Sequence, residues 1–492
     1  MSVKKNFLYN LFYQILVILA PLITTPYISR IFGPNGVGSY SYSYSVANYF
    51  VLFAMLGIMN YGNRKIASVR DDKEKLNKEF SSILVFHLII SLIVFIFYIS
   101  YVMFISKYND KTMLYIQIIY VLSSVLDINW LFFGLGEFKI TVVRNTLIKI
   151  GSILLIFIFV KESTDLYKYS IIMASSYLLS NLYLWIYLKR FVSIKSVSFM
   201  QIKEHFKPCI LLFIPVLSIS IYKVLSKIML GTISNITELG YFENADKLTT
   251  IPIGIITALG TVMLPTISNL VSKGESKKIQ EYTKISLIFA VFISFGAMFG
   301  LLSISDVLIP IFLGEKFLKV IVVLKYSLPS ILFLAWANVI RTQYLIPNNL
   351  DKIYISSTVL GAIVNIVLNF MFIKPFGAIG AAIGTLGAEI SVCVYQSFKV
   401  RNHIKFKNYI KYILVFLSSG IIMLIINRIL SGFLNASVLG LFILIIIGGI
   451  TYLISTIIIL NIIKEEYLIK VIRENINNKL RKQSNYSKKI KG

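Results

Sequence analysis

The sequence has few of the residues that build disulfides, metal sites and proton relays. Among its 492 residues are two cysteines, three histidines and 22 acidic residues. Cys209 and Cys393 both lie in apolar stretches, which fits neither a disulfide framework nor a zinc site. His87 lies in an apolar run, where a hydrogen bond between helices or a proton relay would account for it. We therefore predict no metal site and no cofactor.

Enzyme motifs are also missing. The chain has no Gly-x-x-x-x-Gly-Lys-Ser/Thr loop, no His-Glu-x-x-His pair and no nucleophile elbow, so neither direct ATP use nor these hydrolytic chemistries are expected. The glycines of the apolar run Gly377–Gly387 have no strand before them, which indicates helix packing. A membrane glycosyltransferase or polymerase would need a long catalytic loop or a carboxylate pair, and the short stretch 305–319 offers only Asp306 and Glu315. We predict no catalytic residues, because nothing in the chain resembles a paired acid site.

Hydrophobic residues dominate the rest of the chain. They make up 57% of it, and the mean hydropathy is +0.78. Because a helix needs about 20 mostly apolar residues to cross a bilayer, the recurring apolar runs predict an all-α polytopic membrane protein with about 14 transmembrane helices. The predicted spans are 7–32, 37–62, 81–106, 113–135, 141–160, 166–188, 208–230, 238–265, 283–305, 320–346, 353–374, 377–398, 409–429 and 433–463.

Positive charge is distributed unevenly between the loops. The net charge is +27, which in a soluble protein would suggest nucleic-acid binding, but no basic soluble module is present and we predict no nucleic-acid partner. Lysine and arginine concentrate in alternate loops and in the tail, so the positive-inside rule places both termini in the cytoplasm. The charged stretches 64–78 and 272–284 are predicted to be amphipathic surface helices.

The two halves of the chain resemble each other. Gly38–Asn48 opens the second span and Gly240–Leu248 opens the eighth, while Trp130 and Trp336 form a further pair in the fourth and tenth. Parallel repeats are common in secondary transporters, which bind substrate between them, so we predict two six-helix lobes and two appended helices. The predicted boundaries are 1–200 and 201–404 for the lobes, 405–463 for spans 13 and 14, and 464–492 for a basic cytoplasmic tail.

Several cations fall inside the apolar runs. A charge at bilayer depth costs about 3 kcal/mol or more unless it is compensated, so each cation must pair with a carboxylate, extend to the membrane surface or face a cavity that binds an anion. Lys223 and Lys227 share one helical face, and Lys247 follows Glu243 at the spacing that favours an ion pair. The sequence leaves these explanations open for all five deep cations, which are Lys149, Lys223, Lys227, Lys247 and Arg341.

Hydroxyl side chains crowd the start of the second span. Serine and tyrosine alternate from Ser39 to Ser45, and Asn48 follows. Tyrosines at this depth could form an aromatic belt, but hydroxyls on every face of the helix exceed what a belt needs. Since aromatic rings stack on sugar faces and hydroxyls exchange hydrogen bonds with sugars, this span is typical of a sugar-binding wall.

Several motifs resemble those of polysaccharide repeat-unit flippases of the Wzx type. Asp127–Lys139 is similar to the fourth span of that family, Leu239–Pro252 to the eighth and Trp336–Pro347 to the tenth, and the opening Pro26–Gly38 fits as well. The motifs follow one order over nearly the whole chain. The superfamily to which these flippases belong also holds the multidrug (MATE) exporters and the lipid II flippase.

The resemblance implies a flippase that moves undecaprenyl-pyrophosphate-linked oligosaccharide from the inner to the outer leaflet, for capsular or O-antigen-like polysaccharide. It implies a multi-pass protein of the bacterial plasma membrane, in contact with membrane lipid. Its implied protein partners are the polysaccharide polymerase and glycosyltransferases of the same pathway. A multidrug or cation antiporter is the alternative, but that function favours an acidic cavity, whereas the deep residues here are mainly basic. A membrane enzyme of polysaccharide assembly is the less favoured alternative.

The resemblance also assigns residues to the substrate. In the lipid II flippase, cavity arginines bind the pyrophosphate; Arg30 resembles one of them, and Lys247 stands in place of another, where it keeps the charge without the bidentate geometry. Many relatives carry an acid where this chain has Ser226, so sodium binding there is not expected. The predicted substrate-binding residues are Arg30, Lys149, Lys223, Lys247 and Arg341. The predicted polar residues of the same cavity are Asp127, Asn129, Glu243 and Glu389.

Overall fold

A computed structural model describes residues 3–106, 108 and 110–465, with side chains from Ala20 onward. Every regular element in those ranges is a helix, and none is a strand. The predicted tail 464–492 lies outside the described residues apart from Lys464 and Glu465.

The helices follow one another with short connections. The α-helices are α1 Val3–Met55, α2 Ile58–Val69, α3 Lys73–Ser100, α4 Lys111–Ile116, α5 Ile118–Val125, α6 Asn129–Leu135, α7 Phe138–Phe159, α8 Leu166–Phe191, α9 Phe199–Glu204, α10 Phe206–Ser220, α11 Ser226–Ile233, α12 Ile236–Ser272, α13 Ser276–Phe312, α14 Lys319–Ser327, α15 Ser330–Ile340, α16 Asp351–Phe376, α17 Ala378–Lys399, α18 Ile410–Ser431 and α19 Val438–Ile462. Short 3₁₀ turns occupy Ser163–Asp165, Glu315–Phe317 and Phe406–Tyr409.

The longest helix, α1, turns back on itself at Gly33. This residue has φ 63° and ψ −177°, and a positive φ favours glycine. Ser29 and Ser41 then reach neighbouring residues of α12: Asn244 donates to Ser29 at 3.2 Å, and Ser41 donates to Glu243 at 2.7 Å. In a straight helix the two serines would lie about 18 Å apart, so the two halves of α1 run antiparallel as separate spans.

The number of membrane spans agrees with the number predicted from the sequence. Thirteen segments of the described chain are long and apolar enough to cross a membrane. The first of them, Ala20–Val69, has 50 residues and contains the reversal at Gly33, so it holds two of the predicted spans. The prediction of an all-α polytopic membrane protein with about 14 transmembrane helices is confirmed, whereas the cytoplasmic placement of both termini stays a prediction.

Neither charged stretch, 64–78 or 272–284, forms one separate surface helix, so that prediction is wrong in its bounds. The first stretch is divided between the end of the short amphipathic helix α2 and the start of α3. Helix α2 continues to Val69, and α3 begins directly after its cap, Asp72, whose side chain accepts a hydrogen bond from a backbone N–H at 3.1 Å. Helices α12 and α13 are separated only by 273–275. Capping residues and tight turns let the membrane helices extend past their apolar parts and reverse within a few residues.

The glycine-rich run in α17 is a packing surface, as its sequence predicts. A Cβ on Gly380 would lie 2.1 Å from the backbone oxygen of Phe372, and one on Gly384 would lie 2.1 Å from the side-chain oxygen of Asn369. Both neighbours belong to α16, so the small residues let α16 and α17 approach closely. The break between these helices is at Gly377, with φ 56°.

Three π-helical segments interrupt the helices of the described chain: Tyr101–Ile105, Ile221–Leu225 and Arg341–Leu345. The second contains Lys223, and the third begins with Arg341. Because a π-helical turn carries an extra residue, it changes the direction of nearby side chains, and such turns are frequent at functional sites.

The two sequence halves meet where α1 packs against α12, and α18 and α19 pack on α13 of the second half. This arrangement agrees with two lobes and two appended helices. The residue boundaries of the lobes stay predictions.

Candidate functional site

A cavity of about 420 Å³ lies between the two halves of the chain. We call it the central cavity. One side of it comes from α1, α7 and α8, and the other comes from the π-helical segment 221–225, α11 and α12. Its volume is within the range of small-molecule sites.

Tyrosines form one wall of the central cavity. Tyr40, Tyr44, Tyr169 and Tyr177 line it, and we call them the tyrosine wall. The ring centroids of Tyr40 and Tyr169 are 4.7 Å apart, and those of Tyr44 and Tyr177 are 6.2 Å apart. Behind them Tyr120 stacks on Tyr44 at 5.0 Å, so the wall is braced by aromatic packing. It offers aromatic faces and hydroxyl groups side by side.

The opposite wall carries an ion-pair cluster made of Lys227, Glu243, Asp246 and Lys247. The Lys227 Nζ atom lies 2.8 Å from Glu243 Oε2 and 3.0 Å from Asp246 Oδ2. The Lys247 Nζ atom lies 3.6 Å from Glu243 Oε1. The side chains of Lys227 and Glu243 are only 17% and 15% exposed. Pairing with carboxylates therefore explains Lys227 and, in part, Lys247.

Two other lysines of the central cavity lack such a partner. Lys149 on α7 and Lys223 line the cavity from opposite sides, and neither forms an ion pair within 4.0 Å in the described part of the chain. Four lysines and two carboxylates line the cavity, so two positive charges remain after pairing. Because an uncompensated charge at this depth is costly, the cavity is electrostatically suited to an anion.

A second cavity of about 140 Å³ lies within the second half of the chain. We call it the side cavity. Arg341 and Glu389 line it, and Lys223 lines both cavities. Among the predicted site residues, the structure thus brings Lys149, Lys223, Lys247 and Glu243 together in the central cavity and places Arg341 and Glu389 beside it.

Arg30 lies outside both cavities. Its guanidinium donates a hydrogen bond to the backbone oxygen of Ile311 at the end of α13, and its Cγ lies 3.6 Å from where a Cβ on Gly314 would be. The structure does not place this predicted substrate-binding residue with the others, because Arg30 stands just before the reversal at Gly33 and contacts the end of α13 instead of the cavity.

Asp127 and Asn129 belong to a separate buried cluster in the first half of the chain. Asp127 Oδ1 accepts hydrogen bonds from the backbone and side-chain nitrogens of Asn129, at 2.8 and 2.7 Å, and Arg144 donates to Asn129 Oδ1 at 3.0 Å. This cluster holds the start of α6 and does not line either cavity, which corrects the predicted placement. His87 is also buried and lines neither cavity.

Ser226 forms hydrogen bonds with the neutral side chains of Asn365 and Asn369. Ser226 Oγ donates to Asn365 Oδ1 at 2.9 Å, and Asn369 Nδ2 donates to Ser226 Oγ at 2.9 Å. The side-chain partners of Ser226 are thus amides rather than carboxylates.

Tyr169 and Tyr177 were not predicted as site residues. Together with Met173 they recur at intervals of four residues on α8, which places all three on one face, and all three line the central cavity. That spacing is visible in the sequence. Only the packing of α8 beside α1 shows that these three residues line a cavity.

The two halves of the chain approach each other closely at the end where α1 reverses, which we call the Gly33 end. A Cβ on Gly38 would lie 1.9 Å from the backbone oxygen of Ile236, and a Cβ on Gly240 would lie 1.9 Å from the backbone oxygen of Pro34. The two contacts are reciprocal, since each glycine meets the residue four positions before the other. The two halves of the chain therefore touch through their backbones at this end.

We expect Glu243→Gln to lower the thermal stability of the protein. The change leaves Lys247 without its partner and Lys227 with Asp246 alone, and breaking a buried pair costs about 3 kcal/mol or more. The melting temperature of the purified protein in detergent should fall by several degrees. Glu315→Gln, at an exposed position, is the control and should not change it. Equal melting temperatures for the two variants would show that the ion-pair cluster is not structural.

Comparison with known protein families identifies relatives over most of the chain. Residues 3–271 match the family model described as polysaccharide biosynthesis protein. A protein of Escherichia coli (strain K12) assigned as an O-antigen transporter is 24% identical over 412 residues, which cover 82% of this chain and 98% of the relative. A protein of Shigella dysenteriae with the same assignment is 27% identical over 407 residues, which cover 80% of this chain and 98% of the relative.

Solved structures share the fold. The lipid II flippase MurJ in an inward closed conformation matches with a TM-score of 0.74 at 18% identity, over 93% of this chain and 99% of that one. An inward-facing multidrug resistance MATE transporter of the MOP superfamily matches with a TM-score of 0.63 at 16% identity, over 81% and 99%. At these identities the likeness shows the fold alone, and it confirms the predicted fold class.

Proposed function

The chain belongs to the polysaccharide biosynthesis protein family, and from this premise we propose that it is a flippase for lipid-linked oligosaccharides. Its substrate is an undecaprenyl-pyrophosphate-linked repeat unit, which it moves from the inner to the outer leaflet for O-antigen-like or capsular polysaccharide. The relatives assigned as O-antigen transporters support transport rather than catalysis.

The observation that carries this proposal is that the central cavity combines two unpaired lysines, one from each side, with the tyrosine wall. Lys149 and Lys223 leave two positive charges unpaired, and a pyrophosphate diester carries two negative charges at neutral pH. The tyrosine wall lies beside them and supplies rings and hydroxyls that suit a saccharide. A single ligand with both an anionic headgroup and sugars matches the two unpaired lysines and the tyrosine wall together.

In this mechanism the headgroup and sugars enter the cavity while the polyprenyl tail stays among the membrane lipids. The Lys/Arg bias assigns the Gly33 end to the outer side of the plasma membrane, so the close approach of the two halves at the Gly33 end corresponds to a carrier that loads from the cytoplasm. Rocking of the two lobes then exposes the cavity to the other side. A membrane potential that is negative inside favours outward movement of an anion by about 2.3 kcal/mol per charge per 100 mV.

The cavity argues against the alternative of a multidrug or cation antiporter. A cavity with unpaired lysines repels cationic drugs, whereas it attracts a pyrophosphate. The MATE-like fold does not decide between the two substrates, because one fold serves many functions. The polysaccharide polymerase and the glycosyltransferases of the pathway are the proposed protein partners.

Deletion of the gene tests the proposed function. Lipid-linked saccharides extracted from the deletion strain should include a complete pyrophosphate-linked repeat unit that accumulates on the inner leaflet, while surface polysaccharide falls. Accumulation of shorter, unfinished units would point to an enzyme that builds the repeat unit. Unchanged saccharides with increased drug sensitivity would point to an exporter. Either of these two results would overturn the proposal.

A further inference from the structure

We propose that Glu389 is an internal anion that competes with the substrate headgroup for Lys223. This inference rests on the proposed function, since it concerns how the headgroup is held and released. Lys223 lines both the central and the side cavity. The same ammonium group can therefore turn toward the headgroup in one cavity or toward Glu389 in the other.

Glu389 lies where a carboxylate could neutralise a nearby cation, and it has no permanent partner. It is 5% exposed, and within the described residues it makes neither a hydrogen bond nor an ion pair shorter than 4.0 Å. The charged groups that act on it across the side cavity are Lys223 and Arg341. An ionised carboxylate buried this deeply needs a cation nearby, and the arrangement offers it two.

The helical backbone around the side cavity is irregular at the two positions that supply its cations. Two of the three π-helical segments in the described chain supply its cations, because Lys223 lies in Ile221–Leu225 and Arg341 begins Arg341–Leu345. Arg341 lines only the side cavity, where its guanidinium carbon lies 5.7 Å from the centre of the Tyr354 ring. Arg341 can thus stay beside Glu389 when Lys223 turns away.

The competition has a direct consequence for transport. When Lys223 turns toward Glu389, the carboxylate compensates the charge of the lysine, which lowers the free energy of the carrier without substrate. When the headgroup binds, it must draw Lys223 away from Glu389, so binding is weaker than it would be without the carboxylate. The same competition favours release, because Glu389 takes Lys223 back as the headgroup leaves.

Glu389→Gln tests this proposal, because it removes the charge and keeps the shape. With purified full-length protein and undecaprenyl pyrophosphate as the probe, the dissociation constant should fall about tenfold, within the usual range of coupling between sites. In proteoliposomes with a fluorescent polyprenyl-pyrophosphate-linked sugar, the maximal rate of flipping should fall by a similar factor, about tenfold, because release becomes slower. Glu389→Asp should restore both values toward those of the wild type.

A double-mutant cycle identifies the partner of Glu389. In a Lys223→Met background, Glu389→Gln should leave the affinity for the probe unchanged, because this background lacks the ammonium group for which the probe and Glu389 compete. Glu315→Gln is the matched control and should behave as the wild type. Weaker binding by Glu389→Gln, or no change in affinity or rate, would overturn the competition while leaving the proposed function standing. If the wild-type protein does not bind the probe, the proposed function and this inference both fall.

Discussion

Gly38→Ala is expected to reduce export of the lipid-linked saccharide about tenfold or more. The added Cβ would lie 1.9 Å from the backbone oxygen of Ile236, whereas a carbon and a carbonyl oxygen in contact are at least about 3.3 Å apart. The two halves of the chain must therefore separate by about 1.4 Å at the Gly33 end. Since an alternating-access carrier must close each end in turn, this variant should fail to close the Gly33 end.

The matched control is Gly254→Ala, in the same helix as Gly240. A Cβ on Gly254 would meet nothing within 4 Å, so its export should equal that of the wild type. Surface polysaccharide and accumulated lipid-linked saccharide are measured in cells and divided by the amount of carrier in the membrane. Normal export by Gly38→Ala at normal protein abundance would show that the glycine contact is not needed for closure.

Cysteine labelling separates failed closure from misfolding. Ser45 lines the central cavity, and the native Cys209 and Cys393 are both buried. In Ser45→Cys, a membrane-impermeant maleimide added from outside should react slowly. The same cysteine should react faster when Gly38→Ala is also present, because the Gly33 end is then open. Equal labelling of the two proteins would contradict the closure argument.

The membrane architecture could be predicted from the sequence because the bilayer imposes a simple length rule. Each run of about 20 apolar residues had to be a span, and the break at Gly377 and the pair of spans on either side of Gly33 follow from it. The reciprocal contact of Gly38 and Gly240 could not be predicted. The sequence shows that these glycines occupy similar places in the two repeats, but only the crossing of α1 and α12 shows that each meets the other's backbone.

The deep lysines could be located in the sequence, but their partners could not all be assigned. The spacing of Glu243 and Lys247 within one helix predicts their ion pair, which the structure shows at 3.6 Å. The ion pairs of Lys227 join α11 to α12. They depend on the rotation of the two helices relative to each other, and the periodicity of the sequence does not determine that rotation. The resemblance to flippases likewise selected Arg30 from its local motif, although its side chain contacts the backbone of α13.

This distinction between paired and unpaired lysines leads to the second prediction. Lys149→Met and Lys223→Met should each lower export about tenfold, and the double variant should abolish it, because each change removes an unpaired charge that faces the headgroup. Methionine keeps most of the length of lysine, so the packing of α7 and of the π-helical segment 221–225 should be preserved. Protein abundance in the membrane should therefore stay close to that of the wild type. Surface polysaccharide per carrier molecule is the measurement.

Lys227→Met provides the contrast that makes the prediction specific. It also removes a lysine of the central cavity, but it leaves Glu243 with only the more distant Lys247 and leaves Asp246 without its ion pair. Removing one partner of a buried pair is strongly destabilising, so its main effect should be a loss of folded protein in the membrane. If Lys149→Met and Lys223→Met instead lose abundance, or if the double variant exports normally, then these two lysines do not bind the headgroup. Loss of export at full abundance for this pair, with loss of abundance for Lys227, is the pattern that an anion site between the two lobes requires.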